Sequence, residues 1–306
     1  MIGFEERLKG CAHDVEAALV VILQTPDDGG TERHEVPARL AAAMRHAVLG
    51  GGKRFRPFLV IECAALFGVP SAQARQTACA LECLHCYSLV HDDLPAMDND
   101  RLRRGRPTVW AAFDEWTAIL AGDALLTLAF ELIADSGTHA DPEVRAHLCL
   151  RLAQAAGPAG MVGGQTIDLE ADKLGLPEIP TIAHIQRLQA KKTGALIAFA
   201  CEAGGLLGRA SPADMQALVA YGTHLGFAFQ IADDLLDVEG DAAIVGKAVA
   251  KDTAAGKATL VSLMGVAAAR ARLAEAEAAA VASLAPFGAE ADVLRAAARF
   301  VSQRKS

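Results

Sequence analysis

Long apolar segments with helical periodicity run through the whole sequence, and two of them end in a cluster of aspartates. The first such segment extends from Thr77 to Val90. It leads to three carboxylates at a helix end, those of Asp92, Asp93 and Asp98, where a proline interrupts the helical pattern. Runs of β-branched or aromatic residues typical of strands are scarce, and no tract of serine, glycine or proline marks a linker. The sequence therefore predicts a single all-α domain.

Three carboxylates so close together repel one another, so a fold tolerates them best when a cation lies between them. Mg²⁺ suits this position because it prefers carboxylate oxygen and retains waters that a phosphate can replace. Four arginines follow the first cluster at once: Arg101, Arg103, Arg104 and Arg106. Their planar guanidinium groups suit phosphate oxygens. Carboxylates and arginines side by side predict a phosphate-containing ligand bridged by metal ions.

A second aspartate cluster lies about 140 residues further on, in the segment from Phe229 to Asp237. It again ends an apolar helical run with an aspartate pair, here Asp233 and Asp234. Asp233 and Asp237 are four residues apart and therefore share one helix face. One aspartate cluster in an acidic chain is usually a solvated surface. Two clusters, each ending an apolar helix and each followed by basic residues, favour metal binding.

Together the clusters resemble the first and second aspartate-rich motifs of the trans-type prenyl diphosphate synthases, with the spacings DDxxxxD and DDxxD. The longer first spacing is typical of the bacterial and plant branches, and the chain resembles the bacterial farnesyl diphosphate synthases in particular. The resemblance extends from Gly51 to Lys257, with the family's motifs in order. It implies the isoprenoid synthase fold, a bundle of roughly ten or more helices around a central apolar cavity.

The resemblance implies one site for isopentenyl diphosphate, the homoallylic substrate. Three glycines, Gly50 to Gly52, let the backbone approach a ligand closely, and basic residues follow at once. From the residues alone, a loop between two helices with a solvated basic face is an equally good interpretation. By resemblance, the ligands of this diphosphate are Gly52, Lys53, Arg56, His85 and Arg104.

A second diphosphate, that of an allylic substrate, is implied at the aspartate motifs. The resemblance makes Asp92, Asp98 and Asp233 metal ligands, with Asp93, Asp234 and Asp237 in support. It makes Arg103, Lys192 and Lys247 ligands of the allylic diphosphate, and it assigns catalytic roles to Arg103, Lys192, Thr193 and Gln230. Thr193 and Gln230 are implied near the developing carbocation. The implied cofactor is Mg²⁺, as several ions, with Mn²⁺ able to replace it.

The implied reaction is head-to-tail condensation of isopentenyl diphosphate with dimethylallyl or geranyl diphosphate to give farnesyl diphosphate. Metal ions and basic side chains neutralise the charge that builds on the leaving diphosphate as the carbon–oxygen bond breaks. An apolar cavity shields the allylic cation from water. Loss of a proton completes the step, and in the family the released diphosphate is thought to take it. No side chain in the sequence is an obvious general base.

Tyr87 and Ser88 are the candidates for control of product length. They precede Asp92 by about one helical turn, roughly 5.4 Å, so a hydrocarbon tail running along this helix should meet them. In the family, an aromatic residue here stops growth near fifteen carbons, and small residues permit longer products. This favours farnesyl over geranylgeranyl diphosphate, and a geranylgeranyl diphosphate synthase is the nearest alternative. A buried tyrosine with a satisfied hydroxyl is the simpler interpretation of Tyr87.

Two more distant alternatives remain open. A terpene cyclase uses related aspartate clusters on one prenyl diphosphate and would not need basic residues to hold a second one. The other is a helical carboxylate bundle that stores or senses metal, or a non-catalytic partner subunit. Di-iron bundles need two Glu-x-x-His pairs, and the sequence has only Glu82 with His85. A silent partner usually lacks one aspartate cluster, and here both are complete.

Composition and charge argue against several other classes of protein. The formal net charge of −8, from 29 basic and 37 acidic residues, disfavours a general nucleic-acid binder. Seven cysteines, an odd number, do not form a disulfide framework, and Cys79, Cys83 and Cys86 fit the buried face of one helix. The first residues lack the apolar core of a signal peptide, and no unbroken apolar run reaches the length of a membrane span. We expect a cytoplasmic protein, and a homodimer because the family is typically homodimeric.

Periodicity and helix breakers also predict individual helices. The first extends from about Phe4 to Leu23 and the second from about Pro37 to Val48. A long apolar helix is expected between Pro107 and Asp135, and helical segments between Ala258 and Val301. Threonine and glycine in the segment Lys191 to Gly194 should loosen the hydrogen-bond ladder of a further helix and turn carbonyls toward a cavity.

Overall fold

The structure is a computed structural model, and it describes residues 3–24, 36–239 and 258–304. Helices dominate these residues, and more than ten of them are present, so the predicted all-α bundle is confirmed. The chain forms two compact units, residues 1–61 with 69–149 and residues 62–68 with 150–306. One domain over residues 1–306 stays a prediction.

The first unit is built from helices that pack around α4. Its helices and short strands are α1 (Phe4–Ile22), α2 (Ala38–Val48), α4 (Ser71–Asp92), β1 (Leu102–Arg103), β2 (Arg106–Pro107), α5 (Val109–Ala112) and α6 (Glu115–Ala134). Two more helices, α3 (Phe55–Ala65) and α7 (Pro142–Ala156), contribute residues to both units. Because α4 packs against α1, α2 and α6, its position and the position of its C-terminal end are fixed by three neighbours.

Apolar side chains cover most of the α4 surface, which explains why this helix is enclosed. Leu81 and Leu84 are fully buried, and burying each stabilises the fold by about 1.5–3 kcal/mol. Cys79, Cys83 and Cys86 lie in the same core, as predicted, and burial raises the pKa of Cys79 and of Cys86 to about 12. These thiols therefore act as small apolar groups. None of the seven cysteines, all of which lie in the described residues, forms a disulfide.

The second unit is organised around the long helix α11. Its elements are α8 (Met161–Leu174), α9 (Ile182–Gln189), a π-helical turn (Ala190–Gly194), α10 (Ala195–Leu207), α11 (Pro212–Glu239), α12 (Leu260–Met264), α13 (Val266–Ser283), a 3₁₀ segment (Ala285–Ala291) and α14 (Asp292–Gln303). α11 packs against α10, α13 and α14. Tyr221 of α11 is fully buried and donates its hydroxyl to the Leu294 carbonyl at 2.8 Å, which ties α11 to α14. The C-terminal half of α11 carries the second aspartate motif.

The predicted helices agree with the structure. α1 and α2 match their predicted bounds to within one residue at each end. The long apolar helix expected between Pro107 and Asp135 is α6, which begins only at Glu115, after the hairpin and the short helix α5. The helical conformation is interrupted at Asp114. The Asp114 carboxylate accepts a hydrogen bond from the Thr117 backbone N–H at 2.8 Å. This side-chain cap fixes the start of α6.

Among the described helices, α6 alone is long and apolar enough to cross a membrane by length and composition. Asp123 and Glu131 interrupt its apolar sequence, which is consistent with the expectation that no unbroken apolar run reaches the length of a membrane span. α6 packs against α2, α4 and α5 within the first unit, and its buried face carries Leu125, Ala129 and Ile133. A core helix of a folded protein meets the same test, so α6 is explained by its packing.

Candidate active site

The first aspartate motif occupies the C-terminal end of α4 and the turn that follows. Asp92 is the last residue of α4, and its carbonyl oxygen accepts a hydrogen bond from the Asp98 backbone N–H at 2.9 Å. This contact returns the third aspartate of the motif to the helix end. Asp92 and Asp98 are partly exposed, whereas Asp93 is buried. The motif therefore keeps two accessible carboxylates and places one inside the fold.

The buried carboxylate of Asp93 binds the hairpin of β1 and β2. Arg103 donates to Asp93 Oδ1 from Nε at 2.9 Å and from Nη2 at 2.7 Å. Burial raises the pKa of Asp93, and the attraction of the Arg103 guanidinium opposes that rise. The guanidinium that the resemblance assigns to the allylic diphosphate is thus engaged by Asp93 in this structure.

The second aspartate motif, at the end of α11, follows the same pattern. Asp234 is buried, and its Oδ2 accepts hydrogen bonds from Gln189 Nε2 at 2.9 Å and from the Leu260 backbone N–H at 3.3 Å. Asp233 is exposed and Asp237 is partly exposed. In each motif, the second aspartate of the pair is bonded into the fold, and the first and last aspartates stay accessible.

The accessible carboxylates fit the ligands of a hard divalent cation. Mg²⁺ and Mn²⁺ take oxygen from carboxylates and water, which is the chemistry that two accessible aspartates at a helix end provide. In the described parts of the chain, no group of three or more histidines, cysteines or acidic residues is already gathered around a metal position. Metal binding at either motif would therefore combine the accessible aspartates with water or with phosphate oxygens.

A guanidinium group of the protein lies against the second motif. Arg304 Nη2 is 2.8 Å from Asp233 Oδ1, and the same nitrogen donates to the Phe229 carbonyl at 3.1 Å. The guanidinium also stacks on the Phe229 ring at 4.1 Å. Burial lowers the pKa of Arg304. A metal ion that binds Asp233 has to compete with this arginine.

The glycine loop after α2 contacts Arg104. Arg104 Nη1 donates to the Gly51 carbonyl, and Gly52 has a φ of +135°, which side-chain-bearing residues rarely adopt. A Cβ atom at Gly52 would lie 2.4 Å from Arg104 Nη1. Glycine is therefore required here both by the backbone conformation and by the close approach of the guanidinium.

Arg56 and His85 lie side by side next to this loop. Arg56 Nη1 is 3.4 Å from His85 Nε2, so the α3 arginine and the α4 histidine form one polar group. Burial, followed by the charges of Arg56 and Arg104, holds the pKa of His85 well below its ordinary value. Burial also lowers the pKa of Arg56. His85 is therefore neutral near pH 7 and can donate one N–H to a diphosphate oxygen.

A small cavity opens among the end of α2, the last turns of α4 and the hairpin. It has a volume of about 60 Å³, and its lining includes Arg103, Arg104 and Arg106 together with Asp93. Three guanidinium groups around one cavity favour an anionic ligand with several oxygens. The arginine-rich segment, Gly50 of the glycine loop and the end of α4 thus line one cavity whose positive charge suits an anion.

The π-helical turn of the second unit holds the other predicted basic and polar side chains. Lys192 lies in this turn, and its Nζ is 2.6 Å from Asp168 Oδ2 of α8. The turn is packed closely on two sides, since a Cβ at Gly164 would lie 2.2 Å from Lys192 N. On the other side, a Cβ at Gly226 of α11 would lie 2.9 Å from Gly194 Cα. The predicted interruption of the helix at this segment is confirmed.

Two further candidates of the second unit flank this turn. Thr193 lies within it, and Gln230 lies one helical turn beyond the close contact at Gly226, three residues before Asp233. Both side chains are partly buried. Lys247, the remaining predicted ligand, lies outside the described residues. The second unit thus brings Lys192, Thr193 and Gln230 near the second aspartate motif.

The candidates for product length lie on the last turns of α4. Tyr87 is 6% exposed, and its ring meets the His91 ring edge to face at 5.7 Å. His91 in turn is within 3.0 Å of the Ile119 carbonyl of α6. Ser88 donates its hydroxyl to the His85 carbonyl at 2.8 Å. The Tyr87 ring therefore packs against His91, which in turn contacts α6.

Residues 37–287 match the polyprenyl synthetase family. The chain belongs to this family. A farnesyl diphosphate synthase of Geobacillus stearothermophilus is 45% identical over 244 residues, which are 79% of this chain and 81% of that protein. Geranylgeranyl pyrophosphate synthase 9 of Arabidopsis thaliana, a chloroplast protein, is 41% identical over 232 residues, 75% of this chain and 64% of that protein. The apo crystal structure of an FPP/GFPP synthase from Zymomonas mobilis has a TM-score of 0.84 at 43% identity and covers 98% of each chain.

Membership of the polyprenyl synthetase family confirms the resemblance on which the site was predicted. It also confirms the fold class, since the solved relative spans nearly the whole chain. The individual site residues stay predictions. The geometry adds that Asp93 and Asp234 are bonded to the fold, which distinguishes them from the accessible aspartates of each motif.

One buried cluster of this polyprenyl synthetase was not found from the sequence. Arg54, next to two predicted diphosphate ligands, turns inward and pairs with Glu16 and Glu82. A basic residue in a basic loop gives no signal of burial, because its partners come from two other helices. The one available clue was Glu82, an acidic residue within an otherwise apolar helical run.

We expect His85 to make the stability of the protein depend on pH below about 6.5. The folded state holds the pKa of His85 below its ordinary value, so the unfolded chain takes up a proton that the folded chain does not. The free energy of unfolding therefore falls as the pH falls through this range. His85→Gln removes this proton uptake and should lose less stability between about pH 7 and pH 5, by up to ~1.4 kcal/mol per pH unit. Urea unfolding at both pH values measures the difference, and identical pH dependence of the two proteins would contradict it.

Proposed function

We propose that this chain is a farnesyl diphosphate synthase, which condenses isopentenyl diphosphate with dimethylallyl and geranyl diphosphates. The observation that carries this proposal is a basic position in the first unit, where Arg104 lies against Gly52 and Arg56 lies beside His85. The charge of Arg104 acts on both Arg56 and His85. A terpene cyclase needs no such position, since it acts on one prenyl diphosphate. The farnesyl diphosphate synthases at 40–45% identity support the same activity.

In this mechanism the basic side chains hold the two diphosphates and direct the reaction. Arg56 and Arg104 bind the diphosphate of isopentenyl diphosphate, and neutral His85 donates a hydrogen bond to it. Lys192 contributes positive charge toward the allylic diphosphate as its carbon–oxygen bond breaks. Arg103 does the same through Nη1, while its Nε and Nη2 stay bound to Asp93. Thr193 and Gln230 turn polar groups toward the carbocation.

We propose Mg²⁺ as the cofactor, held by Asp92 and Asp98 in the first motif and by Asp233 and Asp237 in the second. When bound, the metal ions withdraw charge from the diphosphate and make it a better leaving group. Asp93 and Asp234 keep their roles inside the fold and hold the two helix ends in shape. The accessible aspartates thereby stay directed toward solvent and ligand.

We propose that the protein works as a homodimer that associates through α6. Trp116, Ile119 and Leu120 are 58%, 44% and 48% exposed, although all three are large and apolar. Their spacing places them on one face of α6, where a second copy of the chain would cover them. Analytical ultracentrifugation should give twice the chain mass for the wild type and a monomer for Leu120→Glu. A monomeric wild type would contradict this assembly.

Calorimetry with isopentenyl diphosphate alone tests whether the protein has a site for this second diphosphate, which a terpene cyclase does not need. We expect binding in the absence of any allylic substrate, because we assign the ligands of this diphosphate to the first unit. The binding should weaken in Arg56→Met, whereas replacement of the exposed Arg209 by methionine serves as the matched control. Absence of binding by the wild type would favour a terpene cyclase, which uses a single prenyl diphosphate.

A further inference from the structure

The loop that carries Lys53 and Arg56 has a buried arginine, Arg54, at its centre. Arg54 is 3% exposed and has a φ of +47°, a left-handed conformation that costs a non-glycine residue free energy. Lys53 and Arg56, on either side of it in the chain, are the predicted ligands of isopentenyl diphosphate. Such a conformation persists only where surrounding contacts enforce it. The side chain of Arg54 supplies those contacts.

Three acceptors from three different helices hold the Arg54 guanidinium. Nη1 donates to Glu82 Oε1 of α4 at 2.6 Å, and Nε donates to Glu16 Oε2 of α1 at 3.1 Å. Nη2 donates to the carbonyl of Val48, the last residue of α2, at 2.6 Å. Lysine has one nitrogen and cannot reach these three acceptors together, whereas the planar fork of arginine can. The loop is thereby attached to α1, α2 and α4 at a single point.

The Arg54–Glu82 contact lies next to the Arg56–His85 contact, which belongs to the predicted ligand site. Glu82 precedes His85 by three residues and lies on the same side of α4, while Arg54 precedes Arg56 by two residues. Arg54–Glu82 and Arg56–His85 therefore connect the same loop to the same helix at neighbouring positions. A change in the first contact shifts the second.

The pairing of charges distinguishes Arg54 from Arg56, the other arginine of the loop. The Glu82 carboxylate, 4% exposed at its side chain, would repel a diphosphate if it were not paired. Arg54 pairs with this carboxylate and with that of Glu16. Its positive charge is therefore balanced inside the fold and does not attract a ligand. By resemblance, the positive charge that binds the diphosphate belongs to Lys53, Arg56 and Arg104.

We infer that Arg54 and Glu82 are positioning residues for isopentenyl diphosphate, because they fix the loop of Lys53 and Arg56 against His85. This inference rests on the proposed function and deepens it. A cluster that merely stabilised the fold would affect both substrates and the turnover number alike. A positioning cluster affects the homoallylic substrate selectively, since the allylic diphosphate depends on other residues.

Steady-state kinetics of Glu82→Gln and Arg54→Lys, with both substrates varied, test the inference. We expect KM for isopentenyl diphosphate to rise about tenfold or more, because misplacement by a fraction of an ångström suffices for such a loss. KM for geranyl diphosphate and kcat at saturating substrate should stay within about threefold of the wild type. Glu6→Gln, on the exposed side of α1, is the matched control and should change neither constant.

Two further measurements keep the outcome decisive. Glu16→Gln retains the Glu82 contact and should give a smaller rise in KM, so it serves if the stronger variants do not fold. Thermal unfolding identifies variants that are folded at the assay temperature. A folded Glu82→Gln with unchanged KM for isopentenyl diphosphate, or with equal losses for both substrates, would overturn the inference. A wild type that does not consume isopentenyl diphosphate would overturn the proposed function instead.

Discussion

Asp92→Asn should lower kcat by about a thousandfold, roughly 4 kcal/mol of transition-state stabilisation. Asp92 ends α4 and its side chain is partly exposed, so its carboxylate can reach a metal ion. Asparagine keeps the size and one oxygen but removes the charge that a hard cation needs. Its side chain is only partly buried, so the variant should unfold at nearly the temperature of the wild type.

Asp93→Asn is the informative companion to this variant. The Asp93 carboxylate is buried and paired with Arg103, and loss of its charge leaves that guanidinium without its partner. We expect this variant to lose thermal stability, which Asp92→Asn should retain. Glu131→Gln, an exposed change on α6, is the control. Comparable activity of Asp92→Asn and the wild type under saturating Mg²⁺ would contradict the assignment of Asp92 as a metal ligand.

Tyr87→Ala should change the main product from farnesyl diphosphate to geranylgeranyl diphosphate or a longer chain. The Tyr87 ring is almost fully buried and is fixed by its edge-to-face contact with His91. Removing a buried aromatic ring leaves a cavity, and a growing hydrocarbon tail can occupy it. Without a ligand, the same cavity costs about 3–5 kcal/mol of stability. The variant should therefore be less stable when free and regain stability when it binds a long prenyl diphosphate.

Mass spectrometry of the dephosphorylated products, with isopentenyl diphosphate in excess, measures this change. Tyr87→Phe retains the ring and should keep the product length of the wild type, which separates the ring from the hydroxyl. Ser88→Ala keeps a small side chain at the position next to Tyr87 and should have little effect on product length. If Tyr87→Ala made the same product as the wild type, the role of Tyr87 in limiting the chain would be wrong.

Local patterns in the sequence predicted the parts of this fold that local forces determine. The bounds of α1 and α2 follow from apolar periodicity and the flanking glycine and proline residues, and the structure agrees with them. The interruption at Lys191 to Gly194 follows from threonine and glycine inside a helix, and it is a π-helical turn. The two aspartate motifs were visible because several like charges together are unusual at the end of an apolar helix.

Contacts between residues far apart in the chain left no such local pattern. The hairpin around Arg103 could not be read from two-residue strands, and the break before α6 depends on the cap that Asp114 provides. The pair of Arg304 with Asp233 joins residues 71 positions apart. Arg54 is a similar case, because its basic neighbours in the chain give no indication that its own side chain is buried. Sequence therefore predicted which residues carry the chemistry better than it predicted which residues hold them in place.

Turnover of geranyl diphosphate with isopentenyl diphosphate tests the central proposal most directly. The purified protein with Mg²⁺ should form farnesyl diphosphate and release one diphosphate for each isopentenyl diphosphate consumed, and excess chelator should abolish the reaction. Consumption of geranyl diphosphate at the same rate without isopentenyl diphosphate, with cyclic or hydrolysed products, would contradict the account.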